Sequence, residues 1–299
     1  MSTASNKAVG QLKSGDLVSA GGSTIQLWDT NSWTVKKTIP SPGDIFDVLV
    51  VLPNNDVAIN SGNNIKIWNV IDGYLRRSLI GHTSFVSCLI VMPNGDLASG
   101  AWDYKVIIWN LDNGSIRRTL TGHTFWVYAL TISYHRNGWN LVSGSADKII
   151  KVWDVNTGNE KASVLGHTDI VYALAFQNSS SYLLSSSADR TLKVWKIYNY
   201  FTVGFNGPVS TVFDSTLVNS VNLRASPFFF NGIKSFAVLP DGSVASSTDS
   251  SLIFWNKYFG FVKSYSNSNG QFNMLLVLNN GDLISGMSYS TEMIVWNYV

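Results

Sequence analysis

The sequence predicts an all-β fold built from seven repeats of a four-stranded antiparallel unit. In the 299 residues a tryptophan closes an apolar, strand-like run seven times, at spacings of 40, 41, 44, 42, 60 and 41 residues. β-Branched and aromatic residues fill the runs, and glycine, asparagine and aspartate fill the segments between them, as in strands joined by turns. No long segment shows the 3.6-residue period of an amphipathic helix. The tryptophans that mark the repeat are Trp28, Trp68, Trp109, Trp153, Trp195, Trp255 and Trp296.

The third repeat shows how one unit is organised. Its first predicted strand is 86–91, followed by the turn Pro93-Asn94-Gly95-Asp96 and a second strand at 97–100. The third strand, 106–109, ends at Trp109, and a fourth follows near 116–120. A single sheet of this kind cannot bury both of its faces. Seven sheets packed face to face in a ring can, and a closed ring hides most strand edges.

Composition excludes several classes of protein. Hydrophobic residues make up 45% of the chain and charged residues 13%, which excludes disorder, and neither a collagen glycine period nor charged heptads are present. The net charge of +2 is too balanced to indicate nucleic acid or acidic lipid as a partner. We expect neither a signal peptide nor a membrane span, because no apolar segment fits either. The single cysteine, Cys88, cannot form an intramolecular disulfide, so we expect a cytoplasmic or nuclear protein.

Two short motifs recur in phase with the tryptophans. The residue after the tryptophan is Asp or Asn in six of the seven repeats, with Lys196 as the exception, and Gly-His precedes three of the tryptophans. The dipeptides are Gly81-His82, Gly122-His123 and Gly166-His167. The combination resembles the WD40 repeat family over essentially the whole chain, most clearly in repeats 3 to 5. The resemblance implies a seven-bladed β-propeller of four-stranded blades, with residues 1–299 forming one domain.

Four polar residue types recur in phase in repeats 3 to 5. The Asp lies four positions after the Ser, and the Trp lies six positions after the Asp, in each of these repeats. The resemblance implies a buried network in which the Trp N–H donates to Ser, Ser contacts His, and His contacts Asp. Such a network satisfies buried polar groups and fixes a turn against a strand. The sets are His82, Ser99, Asp103 and Trp109; His123, Ser143, Asp147 and Trp153; and His167, Ser185, Asp189 and Trp195. The other repeats lack parts of the set, so we expect blades 1, 2, 6 and 7 to be less rigid.

The same residue types raise two chemical alternatives. Ser, His and Asp also form a nucleophilic triad, but a catalytic set occurs once, whereas this one occurs three times with a tryptophan attached. A metal site is the second alternative, but the histidines lie one per blade and each has an internal partner. We therefore expect no catalytic residues, no metal and no cofactor.

Aromatic residues just after the Gly-His motifs, and just before a network aspartate, predict a binding surface. In the family, these positions often line the central recognition surface on the top face, which carries the Gly-His loops. Interfaces are enriched in aromatic anchors, although such residues also fill cores. The candidate partner-binding residues here are Phe85, Trp102, Phe125, Trp126 and Asp169.

An insertion accounts for the one long spacing, from Trp195 to Trp255. We place about 20 extra residues at 208–231, between the fourth strand of blade 5 and the first strand of blade 6, on the top face. Phe228 and Phe229 in this segment are candidate partner anchors, or they fill the groove between the blades. The basic pairs Arg76-Arg77 and Arg117-Arg118 predict either a basic stripe or a solvated edge that resists strand addition.

The two ends of the chain leave the last blade short of a strand. The first repeat begins at its innermost strand, and three residues follow Trp296. We therefore expect a three-stranded last blade, and either the chain is part of a longer polypeptide or larger complex, or the ring closes by face packing alone. A bare edge at Met293–Trp296 would suit strand addition by a partner.

The resemblance implies a non-catalytic scaffold or adaptor that binds a protein or peptide with the top face. Two alternatives remain: a substrate-recognition subunit of a ubiquitin-ligase-type complex, and a propeller enzyme with its site at the central channel.

Overall fold

The computed structural model describes residues 8–21, 23–41, 46–135, 138–177, 182–202, 210–222, 233–248, 250–266, 271–288 and 293–296. The regular structure in these ranges is β-strand, arranged as seven antiparallel sheets, here blades 1 to 7. The predicted all-β class and the number of blades are therefore confirmed. Among the residues described, no helix is long and apolar enough to cross a bilayer.

The strands follow one another from blade to blade in chain order. Blade 1 contains β1 (Ala8–Gln11), β2 (Leu17–Gly21), β3 (Thr24–Asp29) and β4 (Thr34–Pro40). Blade 2 contains β5 (Leu49–Val51), β6 (Val57–Ser61), β7 (Asn64–Asn69) and β8 (Tyr74–Leu79). Blade 3 contains β9 (Val86–Val91), β10 (Leu97–Ala101), β11 (Val106–Trp109) and β12 (Ile116–Leu120). Blade 4 contains β13 (Val127–His135), β14 (Gly138–Ser145), β15 (Ile150–Trp153) and β16 (Glu160–Val164).

The remaining blades are less uniform. Blade 5 contains β17 (Val171–Phe176), β18 (Tyr182–Ser187), β19 (Thr191–Thr202) and β20 (Ser210–Asn222). Blade 6 contains β21 (Ser235–Val238), β22 (Val244–Ser247), β23 (Ser251–Trp255) and β24 (Phe261–Ser266). Blade 7 contains β25 (Gln271–Val277), β26 (Leu283–Ser288) and β27 (Met293–Trp296).

The first strands of the blades form the inner wall of a closed ring. They contact one another in an unbroken circuit from β1 through β5, β9, β13, β17, β21 and β25 back to β1. Each blade therefore runs outward from its first strand. Because neighbouring strands are antiparallel, the link between blades and the turn between the second and third strands lie on one face. This face carries the Gly-His loops, and we call it the top.

The apolar core lies between adjacent blades. One buried cluster joins Ile65 and Leu79 of blade 2 to Leu97, Ile107 and Trp109 of blade 3. A second cluster joins blade 3 to the Trp153 indole of blade 4. Full burial of one such aliphatic side chain contributes about 1.5–3 kcal/mol. The repeated tryptophan therefore packs its blade against the preceding one.

The strand boundaries in blade 5 differ from the sequence prediction. β19 and β20 pair from Thr191 with Asn222 to Thr202 with Ser210, so that 210–222 is the fourth strand of the blade. Most of the segment predicted as a top-face insertion at 208–231 is therefore one side of a long hairpin, whose extra pairs lie toward the bottom face. Strand propensity at Val212 to Val221 outweighed the repeat spacing on which the insertion was placed. Phe228 and Phe229 lie outside the described residues.

Among the residues that the structure describes, blade 7 has three strands, as predicted, in the order β25, β26 and β27. Within the described part of the chain β27 pairs with β26 and forms the outer edge of this blade. The Tyr265 ring of blade 6 lies 4.7 Å from the Trp296 ring, so the face of the short blade packs on its neighbour.

The basic pairs on the fourth strands connect turns within and between blades. Arg76 Nε lies 2.6 Å from Asp56 Oδ2, in the first turn of its own blade, while Arg77 donates to the Leu111 carbonyl of blade 3 at 3.4 Å. Blade 1 repeats this arrangement, since Lys36 pairs with Asp16 and Lys37 donates to the Ile71 carbonyl. In blade 3, Arg117 pairs with Asp96 and Arg118 donates to the Asn156 carbonyl. The first basic residue holds its own blade together and the second links it to the next one, which neither sequence interpretation anticipated.

Candidate interaction surface

Three polar networks hold the top-face loops of blades 3 to 5. In blade 3, Trp109 Nε1 donates to Ser99 Oγ at 2.8 Å, and His82 Nε2 lies 2.7 Å from the same oxygen. His82 Nδ1 lies 2.9 Å from Asp103 Oδ2, which also accepts from the Thr83 amide at 2.9 Å. The corresponding bonds are present around His123, Ser143, Asp147 and Trp153, and around His167, Ser185, Asp189 and Trp195.

The bonds fix the direction of each hydrogen in these networks. A carboxylate accepts only, so His82 Nδ1–H donates to Asp103, and the ring accepts at Nε2 from the Ser99 hydroxyl. Burial lowers the pKa of His82, with Asp103 partly opposing it, which matches a neutral ring. Burial opposes ionisation of Asp103, but hydrogen bonds from the Thr83 amide and the His82 ring outweigh it and hold the pKa of this carboxyl below its ordinary value. The same balance lowers the pKa values of Asp147 and Asp189.

The geometry of the networks is structural. Ser99, Ser143 and Ser185 are fully buried at 0% exposure, and each hydroxyl is held between an indole and an imidazole. A nucleophile must reach its substrate, and these oxygens do not. Burial also raises the pKa of the Cys88 thiol to about 12, so it stays protonated at neutral pH. In the part of the chain described, no group of three or more His, Cys, Asp or Glu side chains is arranged to hold a metal ion.

The Gly of each Gly-His motif lies directly against the tryptophan of its blade. A Cβ on Gly81 would come within 2.8 Å of the Trp109 ring, and one on Gly166 within 2.9 Å of the Trp195 ring. Only glycine admits this approach without a shift of the indole. The indole thus contacts the loop at Gly and binds the network at Ser.

The other blades retain only parts of this arrangement. Trp28, Trp255 and Trp296 donate to Ser19, Ser246 and Ser285 at 2.8, 2.7 and 2.9 Å. In blade 2, Ile59 takes the serine position, and the buried Trp68 Nε1 has no acceptor among the described residues.

Above the networks, aromatic rings contact one another across blades 3, 4 and 5. We call the set of seven rings the aromatic arc. The Trp102 and Trp126 rings stack at 4.6 Å between centroids with 20° between planes, and Phe85 lies 5.2 Å from Trp102. The arc consists of Phe85, Trp102, Tyr104, Phe125, Trp126, Tyr128 and Tyr172.

The outer part of the arc is exposed and the inner part is half-buried. Tyr104 and Phe125 stack on each other at 5.7 Å, and each is 41% exposed. Phe125 also lies 4.9 Å from Trp126, so the exposed pair continues into the stacked tryptophans. The four partner-binding aromatics predicted for blades 3 and 4 are therefore neighbours in one surface.

Backbone hydrogen bonds hold the arc in place. The Trp102 amide donates to the Phe85 carbonyl at 2.9 Å, and the Ala146 amide donates to the Trp126 carbonyl at 2.8 Å. Each bond ties a Gly-His loop to the turn between the second and third strands, next to the network that links the same two segments. Asp169 is exposed in the corresponding loop of blade 5, where its carboxylate accepts from the Ile170 amide at 2.8 Å.

Sequence reasoning missed three rings of the arc. Tyr104 follows the network Asp103 and adopts a left-handed φ of 69°, as Lys148 and Arg190 do after their own network aspartates. Tyr128 and Tyr172 are unpaired residues of β-bulges in β13 and β17, and bulges re-aim side chains. The sequence did contain a signal for Tyr128 and Tyr172, since Val-Tyr-Ala-Leu occurs at 127–130 and again at 171–174.

A groove of about 490 Å³ lies on the bottom face between blades 2 and 3. Arg76 and Arg117 line it, and each is paired with an aspartate of its own blade at 2.6 and 2.7 Å. These charges are engaged in holding turns, so the groove is a weaker candidate for the functional site than the arc.

Comparison with known families agrees with this architecture. The family model described as WD domain, G-beta repeat, matches residues 73–110, 114–154 and 158–196. A comparison with curated proteins gives no match. Each matched stretch ends one residue after the tryptophan of blade 3, 4 or 5, the blades in which the polar network is complete. With seven blades in a closed ring, three of which match the WD40 repeat, the chain is a seven-bladed β-propeller that contains WD40 repeats.

Proposed function

We propose that the protein is a non-catalytic scaffold or adaptor that binds a protein or peptide partner through the aromatic arc. WD40 propellers generally act as protein-interaction scaffolds and are typically not enzymes. The main support for the arc as the binding site is that its aromatic rings contact one another continuously over three neighbouring blades of the top face. Tryptophan and tyrosine dominate the binding energy of many interfaces.

The arc is organised before a partner arrives. The polar networks fix the loops, and ring stacking fixes the side chains on them, so binding orders little that is not already ordered. Trp102 also carries a cost for stability, because its buried Nε1 has no acceptor among the residues described. An unsatisfied buried donor costs about 1–3 kcal/mol. A residue that costs stability at a surface is typical of a functional position.

A substrate-recognition subunit of a ubiquitin-ligase-type complex is a narrower form of the same proposal, since such a subunit also needs a partner-binding face. An enzyme acting at the central channel would need reactive groups on the inner strands. Ser87, Tyr128 and Tyr172 hold equivalent inner positions in blades 3 to 5 and supply hydroxyls. Asp47 holds this position in blade 2, so these four positions offer one carboxylate and no imidazole.

The test is quantitative affinity capture with the wild type and Trp102→Ala/Trp126→Ala. The matched control is Trp33→Ala, which removes an exposed indole from the turn between β3 and β4 in blade 1. We expect the double variant to lose bound partners that the control retains. Tyr104→Ala/Phe125→Ala removes the exposed rings with less effect on packing, and should weaken the same partners. An unchanged set of partners in both arc variants would overturn the proposal.

A further inference from the structure

Lys234 extends the aromatic arc into blade 6. Its Nζ lies 4.2 Å from the centroid of the Tyr172 ring, and Tyr172 in turn lies 5.6 Å from Tyr128. Tyr128 contacts both Trp102 and Trp126, at 6.4 and 6.3 Å. A positive charge therefore ends a row of rings that begins at the stacked tryptophans.

The position of Lys234 is set by the repeat. Ser246, which accepts from Trp255, pairs with Phe236, two residues after Lys234. Ser185, which accepts from Trp195, pairs with Leu174, two residues after Tyr172. Lys234 therefore holds in blade 6 the inner-strand position that tyrosines hold in blades 4 and 5.

The charge of Lys234 is half-buried and is not matched by an acid. No carboxylate of the described residues lies within ion-pair distance of its ammonium, and a ring face accepts no full hydrogen bond from it. The ammonium has three donors. Burial, and then the neighbouring Tyr172, raise the pKa of Tyr128, so this hydroxyl also stays a donor at neutral pH.

We propose that the arc binds an extended peptide segment in which an Asp or Glu lies close to a large apolar residue. The apolar side chain packs on the stacked Trp102 and Trp126 rings, and the carboxylate accepts from Lys234. Charge complementarity supports this occupant, because a half-buried lone ammonium gains most from an anion. Tyr128 and Tyr172 separate the two contacts, so the two residues are a few positions apart along the peptide. The inference rests on the proposed function and specifies the partner for the same surface.

The test is selection of peptides from a random display library, followed by affinity measurement on synthetic peptides. Wild-type protein should enrich peptides that contain an acidic residue near an aromatic or large aliphatic one. Lys234→Met should keep the apolar preference and lose the acidic one, and Lys234→Arg should keep both. Lys148→Met, which removes an exposed charge from the same face, is the matched control and should behave as the wild type.

Affinities on one selected peptide give the decisive comparison. Replacing its acidic residue by the corresponding amide should weaken binding to the wild type about tenfold, the effect of one charge-assisted hydrogen bond. The same change should have less than about a twofold effect on Lys234→Met. Selected peptides that depend on Trp102 and Trp126 but show no preference for an acidic residue would overturn the inference and leave the proposed function standing. An acidic preference that persists in Lys234→Met would do the same. If no selected peptide depends on Trp102 and Trp126, both the inference and the proposed function fail.

Discussion

At the scale of residues, the indole–serine bond distinguishes blade 2 from blade 3. Ser99 accepts from Trp109, whereas Ile59 holds the same position in blade 2 and leaves the buried Trp68 Nε1 without an acceptor among the described residues. The same tryptophan therefore contributes differently in the two blades. Packing stabilises both indoles, but hydrogen bonding stabilises only Trp109.

Replacing these tryptophans by phenylalanine should separate the two contributions. Trp109→Phe removes ring volume and a donor from a connected network, and should lower the free energy of unfolding by about 3 kcal/mol. Trp68→Phe removes similar volume but also an unsatisfied N–H, and should cost only about 1 kcal/mol. Chemical denaturation of the two variants measures the difference. Equal losses would show that the network adds nothing to packing.

The pKa shifts in the networks predict that acid destabilises the fold in two steps. The pKa of His82 lies below its ordinary 6.5 in the folded state, so the unfolded chain takes up a proton first as the pH falls below about 6.5. The pKa values of Asp103 and Asp147 lie below their ordinary 3.8, so their contribution is present above that pH and is lost below it. Thermal unfolding from pH 7.5 to 3 should therefore show a falling midpoint.

His82→Gln removes the titrating ring and provides the control for the first step. The variant should be less stable at pH 7.5, and its midpoint should fall less than that of the wild type between pH 7.5 and 5.5. A wild-type midpoint that rises on acidification through this range would contradict the neutral-ring assignment.

The polar quartets could be predicted residue by residue, because their types and spacings repeat three times. The arc could be predicted only in part. Phe85, Phe125 and Trp126 follow from their place just after a Gly-His motif, and Trp102 follows from its place just before the network aspartate. Lys234 does not, because the change in spacing before blade 6 hides its equivalence to Tyr172.

At the scale of elements, blades 3 to 5 differ from the rest in how their loops are held. A His ring links loop to strand in each of these blades, as His82 links Asp103 to Ser99. In blade 2, Gly62 replaces the network aspartate, and no Gly-His precedes it. Such hydrogen bonds raise the free energy of local opening, because opening a loop that they hold breaks several bonds at once.

Amide hydrogen exchange should therefore be slower in blades 3 to 5 than in blades 1, 2, 6 and 7. The comparison is between second strands, such as β10 and β14 against β6 and β22, in which most residues are buried. Uniform protection around the ring would contradict the proposal that the networks rigidify their blades.

The ends of the strands were the features predicted least well from the sequence. The third strands predicted in repeats 3 and 4 end at their tryptophans, as β11 and β15 do. In blade 5 the same rule fails, since β19 continues to Thr202. Lys196 takes the position where the other repeats have Asp or Asn after the tryptophan, so Lys-Ile-Tyr-Asn-Tyr-Phe-Thr extends the strand and pairs with β20.

At the scale of the whole molecule, the ring positions loops from different blades side by side. The arc draws its rings from three blades, and the inferred carboxylate contact comes from a fourth. Basic side chains on the outer strands link blades 1 to 4 at the opposite face. The number of blades followed from the repeat count alone, whereas the assembly of one surface from separate repeats required the structure.

The most direct test of this account is amide hydrogen exchange of the propeller with and without a selected acidic–apolar peptide. We expect slower exchange on binding in the top-face segments 82–85, 102–105, 124–128 and 169–172, and unchanged exchange in the bottom turns 53–56 and 93–96. Protection centred on those bottom turns, or spread evenly around the ring, would contradict the assignment of the aromatic arc as the binding surface.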